Sequence, residues 1–237
     1  MASEARTKAD AARLAVVRRP APGRSQSEEA YVQIRDRIVS LDLPPGSVVE
    51  EGRLRQELAI GRTPIREALQ RLAHEKLVRS VPHRGTFVTD VNITDLARIT
   101  EVRVVIEGHA SRLAAERCGD ADRNAMRELL GSLRTERIRD QRELMNLDQQ
   151  IHRQIYRAAR NSFLESTLER YFNLSLRLWF LILDHEGDHD VRLRQAVDEH
   201  VELLEAIVAG DGDRAEATMR RHVMGFEREI RKALVEG

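Results

Sequence analysis

Apolar residues recur along most of this chain at helical spacing. Tyr31, Ile34, Ile38 and Leu41 lie three or four positions apart, which predicts an amphipathic helix over 28–41. Leu43-Pro44-Pro45-Gly46 closes it, because neither proline can continue the hydrogen-bond ladder. A short helix from Glu51 to Leu58 turns Leu54 and Leu58 to one side, and Ile60-Gly61-Arg62 reads as the turn after it. A third helix is predicted from Pro64 to about Lys76, with Ile65, Leu69 and Leu72 facing inward. Thr63 suits its N-cap and Pro64 its first position, where a missing N–H does no harm. Leu77–Ser80 and Gly85–Thr89 read as strands joined by Val81-Pro82-His83-Arg84. Helix, helix, turn, helix and hairpin make a winged helix-turn-helix over 28–91.

Beyond it, 92–237 reads as helical throughout. Asn92 or Thr94 caps a helix to about Arg117, with Leu96, Ile99, Val102, Ile106, Ala110 and Leu113 on one face. Further helices are predicted at about 121–139, 141–160, 163–184, 190–209 and 211–234. They break at Gly119-Asp120, Asn161-Ser162, Glu186-Gly187-Asp188 and Gly210-Asp211-Gly212. So many apolar stripes need an antiparallel all-α bundle to cover them, and the fold class is mostly α. Residues 1–27, rich in Ala, Arg, Pro and Ser, read as a flexible basic tail.

Composition narrows the setting. Charged residues make up 33% and apolar residues 41%, which suits a soluble helical protein. No apolar run approaches the roughly 20 residues that a membrane span needs, and the N-terminus lacks the apolar core of a secretory signal. The single cysteine, Cys118, excludes an internal disulfide and fits a reducing compartment, with cytoplasm as the simplest location. Net charge is zero, but it is unevenly spread. Residues 1–27 and 62–84 each hold six Lys/Arg against two Asp/Glu, and 92–237 is net acidic. Positive charge thus gathers where a nucleic acid would lie, although a mixed solvated surface reads equally well from charge alone.

The third helix carries the chemistry for that partner. Arg62, Thr63 and Arg66 sit on or beside its first turn, where free N–H groups favour phosphate. Each arginine can take guanine O6 and N7 in a bidentate way, and Thr63 can bond a phosphate or a base. His83, Arg84 and Gly85 at the hairpin tip can reach phosphate or the minor groove. The competing reading is that these are ordinary exposed charges, with Arg66 paired to Gln70 or Glu67.

The segment PPGSVVEEGRLRQELAIGRTPIREALQRLAHEKLV, followed by RGTFV, resembles the winged-helix domain of the GntR family of bacterial transcription regulators. It keeps Leu54, Leu58, Arg62, Thr63, Pro64, Arg66, Glu67, Ala68 and Leu69 of the family's core. It departs at Arg55, Ala59 and Gly61, where the family usually has alanine, glycine and serine. The missing hydroxyl at Gly61 removes one candidate phosphate contact.

In the helical region four residues stand out. Asp148 and His152 lie four apart on one helix and share a face, while His200 and His222 lie on later helices. Three imidazoles and a carboxylate turned into a bundle can hold a divalent metal. Spacing alone leaves core or interface histidines open as the other reading, with Asp148 simply paired to an arginine. The pieces ITEVRVVIEGHASRLAAER, LDQQIHRQIYRAARN and DEHVELLEAIVAGDGDRAEATMRRHV resemble the FCD ligand-binding domain of the FadR-like branch. That resemblance implies a metal on Asp148, His152, His200 and His222, zinc foremost, with nickel or another transition metal as alternatives. It also implies a small carboxylate effector, with Arg103 placed to clamp it; a salt bridge from Arg103 to Glu107 or Glu101 is the other reading. His109, His185 and His189 have no partner spacing, and Trp179, Phe180 and Leu183 read as core or dimer surface.

Together these features point to a homodimeric, ligand-responsive DNA-binding regulator, a repressor acting on a palindromic operator. A metal-dependent enzyme built in the bundle is the alternative, although no general base stands beside the histidines. A bundle whose histidines simply pack, with the winged helix used for protein contact, is a further one.

Overall fold

The computed structural model describes residues 24–92, 94–135, 138, 141–182 and 189–236. Most of the basic tail, the break at Glu186-Gly187-Asp188, His185 and Leu183 lie outside the described residues, as does the side chain of His189. The chain divides into two units. The first takes in residues up to Asp36 together with Val48–Phe87, and the second Arg37–Ser47 together with Val88 onward.

The first unit is built from α1 (Gln26–Val39, of which Arg37–Val39 count with the second unit), α2 (Glu51–Leu58), α3 (Arg62–His74), β1 (Val78–Val81) and β2 (Gly85–Val88, of which Val88 counts with the second unit). Its core is the inward stripe that periodicity predicts: Tyr31, Ile34, Leu54, Ile65, Leu69 and Leu72 are all buried. The helix ends at Val39 rather than 41 because Leu41 adopts left-handed backbone, φ 64°. Around the core, Tyr31 donates its hydroxyl hydrogen to Glu75 at 2.9 Å, and the Arg71 guanidinium lies 3.5 Å from the Tyr31 ring centre. These contacts tie α1 to α3. The two strands pair as a hairpin, and Val48 adds an antiparallel bridge to Phe87.

The start of α3 differs from expectation. Gly61, not Thr63, is the N-cap, with extended backbone and its carbonyl accepting from the Ile65 N–H at 3.3 Å. Pro64 therefore stands third in the helix. Its missing N–H is still harmless there, since the first-turn N–H groups have no intrahelical partner. Ala59, closing α2, takes left-handed backbone at φ 54°, a conformation that costs a residue with a Cβ roughly 1–2 kcal/mol. Gly61 sits at φ −64°, where no glycine is needed, and makes no side-chain cap. A Cβ there would meet only Pro64 at 3.7 Å, an ordinary contact. Ala59→Gly should stabilise the winged helix by about 0.5–1 kcal/mol after its entropic cost. Gly61→Ser should add a few tenths by capping. Urea unfolding of the full chain checks both, and a lowered midpoint for Ala59→Gly would refute the strain at Ala59.

The second unit is a bundle of α4 (Asp95–Arg117), α5 (Asp120–Thr135), α6 (Gln141–Ala158), α7 (Ser162–Ile182), α8 (His189–Ala209) and α9 (Gly212–Glu236). Within the described residues the helices match the predicted stretches; α5 runs to Thr135 and Ile138 is not helical, while the predicted ends at 139 and 184 lie outside the described residues. At the entrance to α4, Asn92 accepts from the Thr94 N–H at 2.9 Å through its side chain, while Thr94 occupies the cap position without a cap bond of its own. Helix α4 runs through the centre, packed against α6, α7, α8 and α9, and α5 closes the far side over α6 and α8. Its core includes Ala114, Met126, Ile151, Ile155, Leu204 and Met219, all fully buried. Arg177 on α7 is buried as well. It donates to the Thr89 hydroxyl at 2.8 Å and to the Thr89 carbonyl, fixing the chain just after β2.

Candidate DNA-reading helix and buried histidine centre

Arg62, Thr63 and Arg66 are exposed on the first turn and a half of α3. Arg66 pairs with neither Gln70 nor Glu67; its Nε donates to Glu51 on α2 at 3.0 Å. An exposed pair of this kind is worth under about 1 kcal/mol, so it steers Arg66 without withholding it from a nucleic acid. At the hairpin tip His83, Arg84 and Gly85 are also exposed. His83 and Gly85 both have left-handed backbone, φ 59° and 104°, which turns the strand sharply.

The second candidate site lies inside the bundle. Helix α6 presents Asp148 and His152 one turn apart, α8 presents His200 and α9 presents His222, and all four are buried. Their donor atoms lie within 4.8 Å of one another. Asp148 Oδ1 is 3.0 Å from His200 Nε2, 3.5 Å from His152 Nε2 and 3.6 Å from His222 Nε2. The outward nitrogens have partners too. His200 Nδ1 is 2.7 Å from the Ala196 carbonyl, His222 Nδ1 is 2.9 Å from Glu199 Oε2, and His152 Nδ1 is 2.8 Å from Glu107 Oε2. The Phe172 ring stacks on His152 at 4.8 Å, and the Tyr156 hydroxyl is 3.2 Å from its Nδ1.

Burial raises the cost of ionising Asp148, yet the His152 charge and hydrogen bonds from all three imidazoles hold its carboxyl well below the usual range. Burial likewise opposes charge on His222, but hydrogen bonds to Asp148 and Glu199 push it up to about 9. His152 is raised in the same way, burial being outweighed by Asp148 and Glu107. His200 is lowered by burial and by His222 beside it. Glu107, buried against Arg103 and His152, is held at about 2 despite its desolvation. With neutral imidazoles, the carboxylates of Asp148, Glu107 and Glu199 outnumber the Arg103 guanidinium by two charges, a deficit that suits a divalent cation. The donor set, three imidazole nitrogens and one carboxylate oxygen, fits a transition metal.

Without an ion, a proton on His222 serves part of the same balance. A metal must displace it, because a ligating Nε2 needs its lone pair. Affinity should therefore rise with pH up to about 9, where His222 loses its proton. Uptake of zinc at neutral pH should release at least about one proton per chain. Calorimetry in buffers of different ionisation enthalpy measures this, and a buffer-independent heat would contradict it.

Arg103 is buried, and of its two sequence-level partners it takes Glu107. Its Nη1 also donates to Ser175 at 2.7 Å, and its guanidinium lies 5.3 Å from the Phe172 ring centre. It therefore reaches the histidine centre through Glu107. His109 is exposed and takes no part; Trp179 and Phe180 are half-buried against the core, with Trp179 stacked on Phe226 at 5.3 Å. Sequence reasoning missed Ser175, Glu199, Tyr156 and Phe172. Only Glu107 had a local signal, four residues from Arg103.

A winged helix followed by an all-helical domain with a buried polar centre defines a class, the DNA-binding transcription regulators. Residues 26–88 match the bacterial regulatory proteins of the gntR family, and residues 98–225 match the FCD domain. The chain belongs to the GntR family and carries an FCD domain. It is similar to the transcriptional repressor RspR of Escherichia coli K12, 24% identical over 215 residues, covering 89% of this chain and 91% of that one. It is also similar to the repressor GlaR of the same strain, 29% identical over 205 residues, covering 84% and 92%. The solved structure of E. coli McbR/YncC shares the fold, with a TM-score of 0.76 at 21% identity over 88% of this chain and 98% of that one. The family and these relatives are regulators rather than enzymes, which sets aside the metal-dependent enzyme. No helix among the described residues is long and apolar enough to cross a membrane.

Proposed function

We propose that this protein is a cytoplasmic, homodimeric repressor that binds a palindromic operator and answers to a small carboxylate effector held in a metal-containing FCD pocket. The observation that carries this reading is the buried quartet of Asp148, His152, His200 and His222 inside a domain joined to a winged helix. The repressor assignment draws on RspR and GlaR, both named as repressors. Operator reading is assigned to Arg62, Thr63 and Arg66, with His83, Arg84 and Gly85 at the wing, and domain limits are taken as 28–91 and 92–237. The four buried residues would hold the ion, which when bound supplies an electrophilic centre for a carboxylate oxygen. Arg103 supplies the second, guanidinium contact to the effector; because Nε and Nη1 already serve Glu107 and Ser175, its remaining N–H groups are the ones available. The effector regulates only as far as it binds one arrangement of the dimer better than the other.

Arg66→Ala should weaken operator binding by roughly 5- to 150-fold, the worth of one bidentate base contact, and leave the helical domain folded. Unchanged affinity in fluorescence anisotropy would remove Arg66 from the reading surface. His152→Ala should lower metal content and abolish the effector response while sparing basal DNA binding. The deciding experiment is metal analysis of the purified protein, then a thermal-shift screen of small carboxylic acids on loaded and chelated samples. An acid that stabilises only the loaded form supports the reading; no metal and no acid response removes the sensing half of it.

A further inference from the structure

The reading of the histidine quartet as a metal centre leaves open what holds its imidazoles in place, and this inference rests on that reading. An imidazole that ligates through one nitrogen has to donate from the other, and the acceptor fixes both tautomer and ring orientation. For His200 the acceptor is the Ala196 carbonyl, one turn earlier on its own helix, so the fold of α8 provides it. His152 and His222 face carboxylates instead. We propose that Glu107 and Glu199 are the positioning residues of this centre. Glu107 acts through Nδ1 of His152 and Glu199 through Nδ1 of His222, so that both rings present Nε2 to the ion.

Three observations support the assignment. Glu107 Oε2 is fully buried without an aligned hydrogen-bond partner, and Nδ1 of His152 stands 2.8 Å away. A buried carboxylate oxygen left in that state is unfavourable, and a proton fixed on Nδ1 of His152 relieves it. The Glu107 carboxylate is also held from behind. Its other oxygen accepts from Arg103, which is anchored in turn on Ser175 of α7. Glu199 is restrained on α8, where its Oε1 accepts from Gln195 at 3.3 Å while its Oε2 meets His222 at 2.9 Å. The three imidazoles are thus gripped by α4, by the α8 side chain and by the α8 main chain.

The competing role for Glu107 is neutralisation of the buried Arg103, and for Glu199 it is an ordinary half-exposed acid. Zinc affinity of the full chain, measured by competition with a chromogenic chelator, separates these roles. The set is wild type, Glu107→Gln, Glu199→Gln and the double variant Arg103→Met with Glu107→Gln, each also loaded with cobalt for its visible spectrum. We expect each glutamine variant to lose about 10- to 100-fold in zinc affinity and to shift the cobalt bands. The double variant, relieved of its unpaired guanidinium, should unfold near the wild-type temperature and still bind zinc weakly. Zinc affinity within about twofold of wild type in both glutamine variants would overturn the proposal, and so would recovered affinity in the double variant. If Glu107→Gln does not fold, the double variant and Glu199→Gln decide. A wild-type chain that takes up neither zinc nor cobalt would instead overturn the metal reading, and the inference with it.

Discussion

The bundle is organised around the burial of one carboxylate. Asp148 sits out of water, and its charge is tolerable only because three imidazoles surround it. Those imidazoles come from α6, α8 and α9, so three helices must meet at one point. Their outer nitrogens then recruit Glu107, which in turn requires Arg103, and Arg103 requires Ser175 on α7. One buried charge thereby sets the relative placement of five of the six helices of this unit. Pairs of this kind add little net stability, yet taking away one partner strands the rest, typically at a cost of about 3–5 kcal/mol. Sites of this sort are therefore intolerant of piecemeal change.

The winged helix rests on a different principle. Its interior is mainly apolar, and the groups suited to nucleic acid stay outside on the frame built around that core. Arg66 leans on Glu51 and Arg71 on Glu28, in half-exposed pairs that are weak and exchangeable. Under the proposed function, a nucleic acid could draw on Arg66 without dismantling the fold.

Periodicity made most of the architecture legible, because each helix carries a stripe that has to be buried. What escaped it was local backbone conformation. The turn at Leu41 and the cap at Gly61 depend on φ values that a hydrophobic pattern does not encode, and Pro64 fits any of the first helical positions. In the site, Asp148 and His152 were readable together because they share a helix face. His200 and His222 joined them only as one open possibility until the family resemblance was added, since no spacing rule connects separate helices. Glu199 was hidden among the other acids of its helix, Asp198, Glu202 and Glu205, and Ser175 had no local signal at all. Contacts between helices distant in sequence are the part that one chain read by itself does not disclose.

The span of the quartet along the chain has a further meaning. Asp148 and His222 are 74 residues apart, and α7, α8, the later part of α6 and the first part of α9 lie in the loop between them. With a lone buried thiol at Cys118, the chain has no means of closing that loop by a disulfide. A covalent tie of such length would restrict the unfolded chain by on the order of 4 kcal/mol. An ion gripped by these four side chains would act as the same kind of clasp, but one indifferent to reducing conditions and opened by chelation rather than by electrons.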